Sequence, residues 1–343
     1  MSSTDAIPFR SSRQPTLVDV AKLAKVSIST ASKALNGRSD VSAKTRQRVV
    51  AAAGELSFVP NTLAKSLLTG RTGTVGLITH DLEGRFSIPL LMGAEDAFGL
   101  NKVSVLLCDA RGDSIRERYH LGVLMERRVD GLIIVGARPD PRPSLGHNIP
   151  MPVVYAYAAS DDPEDCSIVY DNTSAGRLAA DHLIMSGRRH IAVIGGDRSY
   201  GASVERVSGA VERLQEAGLE PAGGRPYFGD WSEAWGRAAM HTAITQHPET
   251  DGVICGSDQV ARGALDTLHD MDRAVPSSVA VVGHDNWEIL TAGARPMLTS
   301  IDMNLEDVGR LAAQRLAEAM DGKQSHGVEF VGPRLVVRNS SVA

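Results

Sequence analysis

"LVDVAKLAKVSISTASKALNG", residues 17–37, decides how the head of this 343-residue chain is read. It is rich in Ala and Val, is punctuated by lysine, and carries a run of small hydroxyl residues at its centre. Apolar residues recur at helical spacing on both sides of "KVS", so two short helices are predicted, roughly Leu17 to Ala24 and Ile28 to Asn36, joined by a tight turn. Thr16 and Asp19 stand as a capping box before the first helix. Ser27 is placed to cap the second and Ser42 a third. Val20, Ala21, Val26, Ala31 and Leu35 face inward, against Val49 and Leu56. Ile28, Ser29, Thr30, Ser32, Lys33 and Asn36 are left outward. This is helix-turn-helix geometry, in which the start of the second helix enters the major groove while hydroxyls and helix N-termini hold phosphates. A three-helix bundle with a solvated face has the same pattern.

Charge separates the two readings. The net charge is −5, unevenly spread. Between Arg10 and Arg71 eleven basic residues face three acidic ones, a balance of +8; Asp5 adds −1, so residues 72–343 carry −12. A basic head on an acidic body points to an anionic partner for the head alone.

Residues 1–15 are polar and read as a disordered tail. "SFVPN" closes the head, and "NTLAKSLL" reads as a short helix fading into a Gly/Thr-rich linker, "TGRTGT". After Thr74 ten short apolar runs of strand character, "VGLIT", "VSVLLC", "DGLIIV", "PVVYA", "SIVY", "HIAVIGG", "RPYFG", "DGVICG", "VAVVGH" and "LTSIDM", alternate with amphipathic helix-length segments. Strands apolar throughout and separated by helices argue for parallel sheets covered on both faces. Ten strands suit two doubly wound subdomains better than one sheet. The expected fold is therefore α/β: an all-α head and a body of two doubly wound parallel-sheet subdomains.

No apolar run has signal-peptide or membrane-span length, which predicts a cytoplasmic protein without a membrane partner. Cys108, Cys166 and Cys255 are far apart and odd in number, so neither a disulfide framework nor a zinc site is expected. No metal and no cofactor are predicted. No G-x-S-x-G or H-E-x-x-H pattern supports an enzyme. "IGGDRSYG" lacks the glycine spacing and the lysine of a P-loop.

The head segment "TLVDVAKLAKVSISTASKALNGRSDVSAKTRQRV", followed by "LSFVPNTLAKSLLTGRTGTVGLI", closely resembles the lactose-repressor (LacI) family of bacterial transcription regulators. The likeness continues through "YDNTSAGRLAADHLI", "GRRHIAVIGG", "DGVICGSDQVARGAL", "VAVVGHDN" and "LTSIDMNLEDVGRLAAQRL". The resemblance implies a helix-turn-helix domain over 16–60, a hinge helix and linker over 61–73, and a periplasmic-binding-protein-like body over 74–343. The body's subdomains are expected to take 74–170 with 303–326, and 171–302 with 327–343. Ile28, Ser29 and Lys33 then take base-reading positions, with Lys33 suited to guanine O6 and N7. Ser27, Thr30, Ser32 and Asn36 take phosphate-contacting positions. Asn61 opens the hinge helix, Ala64 permits close approach of two such helices, and Leu67 is the wedge for the central base step. Two departures stand out. Phe58 replaces a frequent tyrosine, and Gly54 sits inside the third helix, at a cost of up to about 1 kcal/mol relative to Ala.

Ligands in open parallel sheets bind at the carboxyl ends of strands. Arg85, Phe86, Asp109, Asp258, Asp285 and Trp287 fall there. Arg206 lies on the helix after "IGGDRSYGAS", and Trp231 follows "YFGD". Aromatic faces suit sugar rings, and Arg with Asp suits pairs of hydroxyls. The resemblance implies a homodimer on double-stranded operator DNA, responsive to a sugar-like small molecule. His80 and His284, each just past a strand and in no metal-spaced pair, read as structural or pocket-lining. A sugar-transport binding protein shares the body fold, but the basic head and the lack of a leader argue against it.

Overall fold

The computed structural model describes residues 15–36, 38, 40–59, 70–82, 85–99 and 103–342. The chain forms two compact units, one running to Thr72 and one from Gly73 onward. Asn61, Ala64 and Leu67 lie outside the described residues.

Among the described residues the first unit holds three helices, α1 (Leu17–Leu23), α2 (Ile28–Leu35) and α3 (Ala43–Glu55). Each begins where local chemistry predicts. Thr16 and Asp19 form the reciprocal capping box, and the Ser27 and Ser42 hydroxyls accept the Thr30 and Thr45 backbone N–H groups. Lys25, in the turn after α1, has φ 52°. Val20, Ala21, Ala31, Ala34, Val49, Ala52 and Ala53 are buried together, with Val26, Leu35, Leu56 and Phe58 packed around them. Alanine dominates because helices this short must approach closely to bury anything. Phe58 therefore acts as core filler where a tyrosine hydroxyl would reach outward.

The second unit is two sheets. The first has strand order β10-β5-β4-β3-β1-β2, built from β1 (Thr74–Thr79), β2 (Ser104–Asp109), β3 (Leu132–Val135), β4 (Val153–Ala156), β5 (Cys166–Tyr170) and β10 (Gly327–Val331). All its pairings are parallel. The second has order β11-β9-β8-β7-β6, from β6 (Ile191–Ile194), β7 (Gly252–Cys255), β8 (Ala280–Asp285), β9 (Thr299–Asp302) and β11 (Arg334–Val336). Only β11 runs antiparallel, against β9. Every residue of β3, β6 and β7 is buried, as strands covered on both faces require.

Helices cover the faces: α4 (Ser87–Gly99), α5 (Ser114–Glu126), α6 (Asn172–Met185), α7 (Gly201–Glu216), α8 (Glu233–Gln246), α9 (Asp258–Asp270), α10 (Glu288–Thr291) and α11 (Leu305–Met320). Three helix pairs meet at reciprocal glycines. A Cβ on Gly93 of α4 would lie 1.9 Å from the Glu306 carbonyl oxygen, and one on Gly309 of α11 2.0 Å from that of Leu90. Gly176 and Gly209 do the same between α6 and α7, and Gly236 and Gly263 between α8 and α9. Backbone thus touches backbone at each crossing, which only glycine permits.

Two expectations need correction. "RPYFG" is not a strand: Tyr227 makes a single bridge to Ile194, because the Gly195 carbonyl that would accept the next ladder bond is taken by the Trp235 indole N–H. Residues 327–331 belong to the first sheet, not the second: β10 pairs with β5 from Gly327↔Cys166 to Val331↔Tyr170. The chain crosses at Gly332–Pro333, and only β11 joins the second sheet. The short alternating runs "GVEFV" and "RLV" follow no apolar block, so they carry a weak strand signal. The other two crossings lie at Asp171 and at Met303–Asn304.

Candidate functional site

On α2, Ser27 is exposed and its oxygen accepts from Thr30 N at 3.0 Å while sharing a hydrogen with Thr30 Oγ1 at 2.8 Å. Ile28 is half exposed, an unusual place for a large aliphatic side chain. Ser29 is exposed and Ser32 partly so. Asn36 donates from Nδ2 to the Ser32 carbonyl at 2.9 Å. Lys33 reaches forward to Asp40, Nζ to Oδ2 2.6 Å, on the surface. That contact is also what holds the Asp40 carboxyl below its usual range. The pair is solvent-exposed, so Lys33 is free to exchange Asp40 for another acceptor. The outward face of α2 thus offers hydroxyls, one amide, one ammonium and one aliphatic side chain.

In the second unit the carboxyl ends of the strands face one another across a cleft. Arg206, on α7, is buried. It donates from Nε to Asn172 Oδ1 and from Nη1 to the Gly256 carbonyl, both at 2.9 Å. Its Nη1 also lies 3.7 Å from Asp285 Oδ1. Asp285, at the end of β8, takes Arg85 on its other oxygen. The Arg85 guanidinium lies 4.8 Å from the Phe86 ring centroid and 4.6 Å from that of Trp287. Phe86 in turn stacks on Tyr157 at 5.7 Å.

Asp258 opens α9 beneath this group. Its oxygens accept from Ser300 Oγ at 2.6 Å and from the Trp287 N–H at 2.7 Å. Burial pushes its carboxyl above the usual range, and the negative charge of Asp285 adds to the push. Burial also raises Asp285, which Arg85 and Arg206 oppose. Trp231 lies 6.0 Å from the Arg206 guanidinium and edge-on to Tyr200 at 5.9 Å.

Seven of the eight candidates, Arg85, Phe86, Arg206, Trp231, Asp258, Asp285 and Trp287, therefore converge. Asp109 turns instead to its own loop, accepting from Arg111 N at 3.0 Å with the Arg111 guanidinium 3.6 Å away. Asn172, Tyr157 and Tyr200 also belong to the cleft. Asn172 had a legible signal, since Asp171 caps the helix it begins. His284 is buried in β8, where burial holds its imidazole neutral. His80 is bound with Arg142 to Glu117.

A cavity of about 480 Å³ opens from Arg85, Phe86, Asp285 and Trp287 outward past Glu288, Asp302, Glu306, Asp307 and Arg334. Five carboxylates against two guanidiniums give its walls a negative balance. Among the described residues no group of three His, Cys, Asp or Glu side chains is placed to hold a metal, and no helix is long and apolar enough to cross a membrane.

Sequence families match both units. The lacI family of bacterial regulatory proteins matches residues 16–61, and a periplasmic binding protein-like domain matches 180–341. The HTH-type transcriptional regulator CelR of Thermobifida fusca is 34% identical over 337 residues, covering 96% of this chain and 98% of that protein. The chain belongs to the lacI family. The HTH-type transcriptional repressor PurR of Serratia proteamaculans is 31% identical over 334 residues, covering 95% and 96% of the two chains. Among solved structures, the lac repressor dimer bound to operator and an anti-inducer aligns with TM-score 0.72 at 26% identity, over 96% of this chain and 100% of that one. A CelR–cellobiose complex aligns with TM-score 0.62 at 30% identity, over 95% and 100%. This lacI-family member is a DNA-binding transcription regulator, not an enzyme, and its helix-turn-helix head and two-sheet body are the fold that the family likeness implies.

Proposed function

We propose that this regulator is an effector-responsive repressor of carbohydrate-utilisation genes, working in the cytoplasm as a homodimer on a near-palindromic operator. Ile28, Ser29 and Lys33 read bases, while Ser27, Thr30, Ser32 and Asn36 hold phosphates. Asn61, Ala64 and Leu67 form the hinge contacts. Two heads double the base contacts that one short helix can make. The effector occupies the cleft, held by Arg206 and Asp285 and stacked by Phe86 and Trp231.

The observation that carries this reading is the convergence of Arg206, Asp285 and Arg85 on one aromatic-walled cleft. Guanidinium and carboxylate side by side match the paired donor and acceptor character of vicinal hydroxyls. The acidic walls favour an uncharged sugar over a phosphorylated one. The CelR–cellobiose complex supports a sugar in the same fold. Thermal-shift screening of the purified protein against neutral sugars, polyols, sugar phosphates and nucleobases tests it, because a ligand that binds the native state raises its melting temperature by mass action. A neutral sugar is expected to stabilise wild type and not Arg206→Ala. Stabilisation by sugar phosphates alone would overturn the assignment.

A further inference from the structure

Besides the Tyr170–His284 ring contact between β5 and β8, polar contacts join the subdomains on both flanks of the cleft. On the first flank Arg85, from the loop between β1 and α4, donates to Asp285 at the end of β8. The Asp285 side chain is 3% exposed and that of Arg85 20%. The guanidinium lies close to the Trp287 ring. On the second flank the loop after β3 supplies both partners. Asp140 Oδ1 accepts the Gly201 N–H at 2.7 Å, where α7 begins. Arg138 lies 4.9 Å from the centroid of the Tyr200 ring. Arg138 and Asp140 are themselves 3.6 Å apart, so one ion pair presents both groups.

Asp285 has one oxygen on Arg85 and the other facing Arg206. A hydroxyl pair approaching Asp285 meets an acceptor already engaged. The Arg85 guanidinium is planar, stacks on aromatic faces and presents N–H donors in a fixed fork, which are the features a bound polar ring would need there. From this geometry we infer that Arg85 competes with the effector for Asp285, and that the Arg85 and Arg138–Asp140 contacts together form a two-flank latch biasing the cleft toward closure. The Arg85 arm is largely desolvated and resists salt. The Arg138 arm, its side chain 53% exposed, is screened. A contact that must be exchanged for ligand sets a threshold: only a molecule offering Asp285 and Arg85 better partners than each other shifts the equilibrium. The inference rests on the cleft being the effector site.

The test uses the full chain labelled with 5-fluorotryptophan and read by fluorine NMR. The three tryptophans report separately. Trp287 lies beside Arg85, Trp231 against Tyr200, and Trp235 donates to the Gly195 carbonyl within the second subdomain and serves as reference. Arg85→Gln is expected to shift or broaden Trp231 as well as Trp287. Arg138→Gln is expected to shift or broaden Trp287 as well as Trp231. Trp235 stays fixed in both. Raising the salt in wild type should reproduce the Arg138→Gln spectrum more closely than the Arg85→Gln one. If each substitution moves only its neighbouring tryptophan, the flanks are independent and there is no latch. Should Arg85→Gln disturb Trp235 through misfolding, Arg138→Gln, at an exposed position, decides the matter by itself. Failure here leaves the effector assignment standing, because that assignment is judged by the Arg206→Ala screen.

Discussion

Replacing Arg206 with alanine removes a buried guanidinium that donates to Asn172 and to the Gly256 carbonyl and sits 3.7 Å from Asp285. A hydrogen bond from a charged donor contributes about 1.5–3 kcal/mol, and stripping one partner from a buried ion pair costs about 3–5 kcal/mol. Arg85 still faces Asp285, so the lower part of that range is expected, about 3–4 kcal/mol. For a unit of this size roughly 2–4 °C is lost per kcal/mol, which places the fall in melting temperature on the order of 10 °C. A double-mutant cycle isolates the electrostatic part. In Arg206→Ala the Asp285 carboxylate loses one of two cations, and Asp285→Asn removes the charge that needed them. The double variant should therefore be more stable than the sum of the two losses by about 0.5–3 kcal/mol. The assay is thermal and urea denaturation followed by tryptophan fluorescence. A melting temperature for Arg206→Ala within about 2 °C of wild type, or strict additivity in the cycle, would refute the reasoning.

Four further outcomes are expected. Burial acts to raise Glu117, but hydrogen bonds from His80 and Arg142 prevail and hold its carboxyl down to about 2 against an ordinary 4.5. A depressed carboxyl stabilises the fold above its unfolded value and loses that contribution as pH falls through the folded one, so up to about 3 kcal/mol should disappear between pH 5 and pH 2; Glu117→Gln should flatten that limb in denaturation curves taken across the range. Gly54 is exposed on α3 with open space where a Cβ would stand, so Gly54→Ala should stabilise the head by up to about 1 kcal/mol, whereas Ser27→Ala should destabilise it by about 1 kcal/mol through loss of the cap on α2, both read by helical circular dichroism on melting. Gly309→Val should cost several kcal/mol, since its Cβ would stand 2.0 Å from the Leu90 carbonyl oxygen; a melt unchanged from wild type would show that α4 and α11 separate freely.

The head was legible because its signals are local. Caps at Thr16, Ser27 and Ser42 and an alanine-rich inner face all lie within a few residues of what they control. Nine of the ten apolar runs are strands, most for a similar reason: a strand buried on both faces needs no partner in sequence to reveal itself, and only the edge strand β2 is partly exposed among them. The tenth, around Tyr227, has the apolar content, but the Gly195 carbonyl that would extend its ladder is taken by the Trp235 indole. β10 and β11 went unread because their pairing is set by distant strands: Phe330 and Val328 are exposed on an edge, and only the ladder to β5 makes them a strand. At the cleft, position after a strand located Asp285 and Asp258, but could not separate them from Asp109, whose carboxylate is taken by the turn at Arg111. Nor does sequence reveal that Arg85 and Asp285, two hundred residues apart, are paired.

The central claim is that one chain couples a sugar in the cleft to an operator on α2. Fluorescence anisotropy measures it directly, titrating the full-length protein onto labelled DNA from upstream of its own gene, with and without the neutral sugar that stabilises it most. Coupling of about 1–3 kcal/mol predicts a change in operator affinity of roughly 5- to 150-fold, absent in Arg206→Ala. Equal affinity with and without a sugar that demonstrably binds would contradict the account.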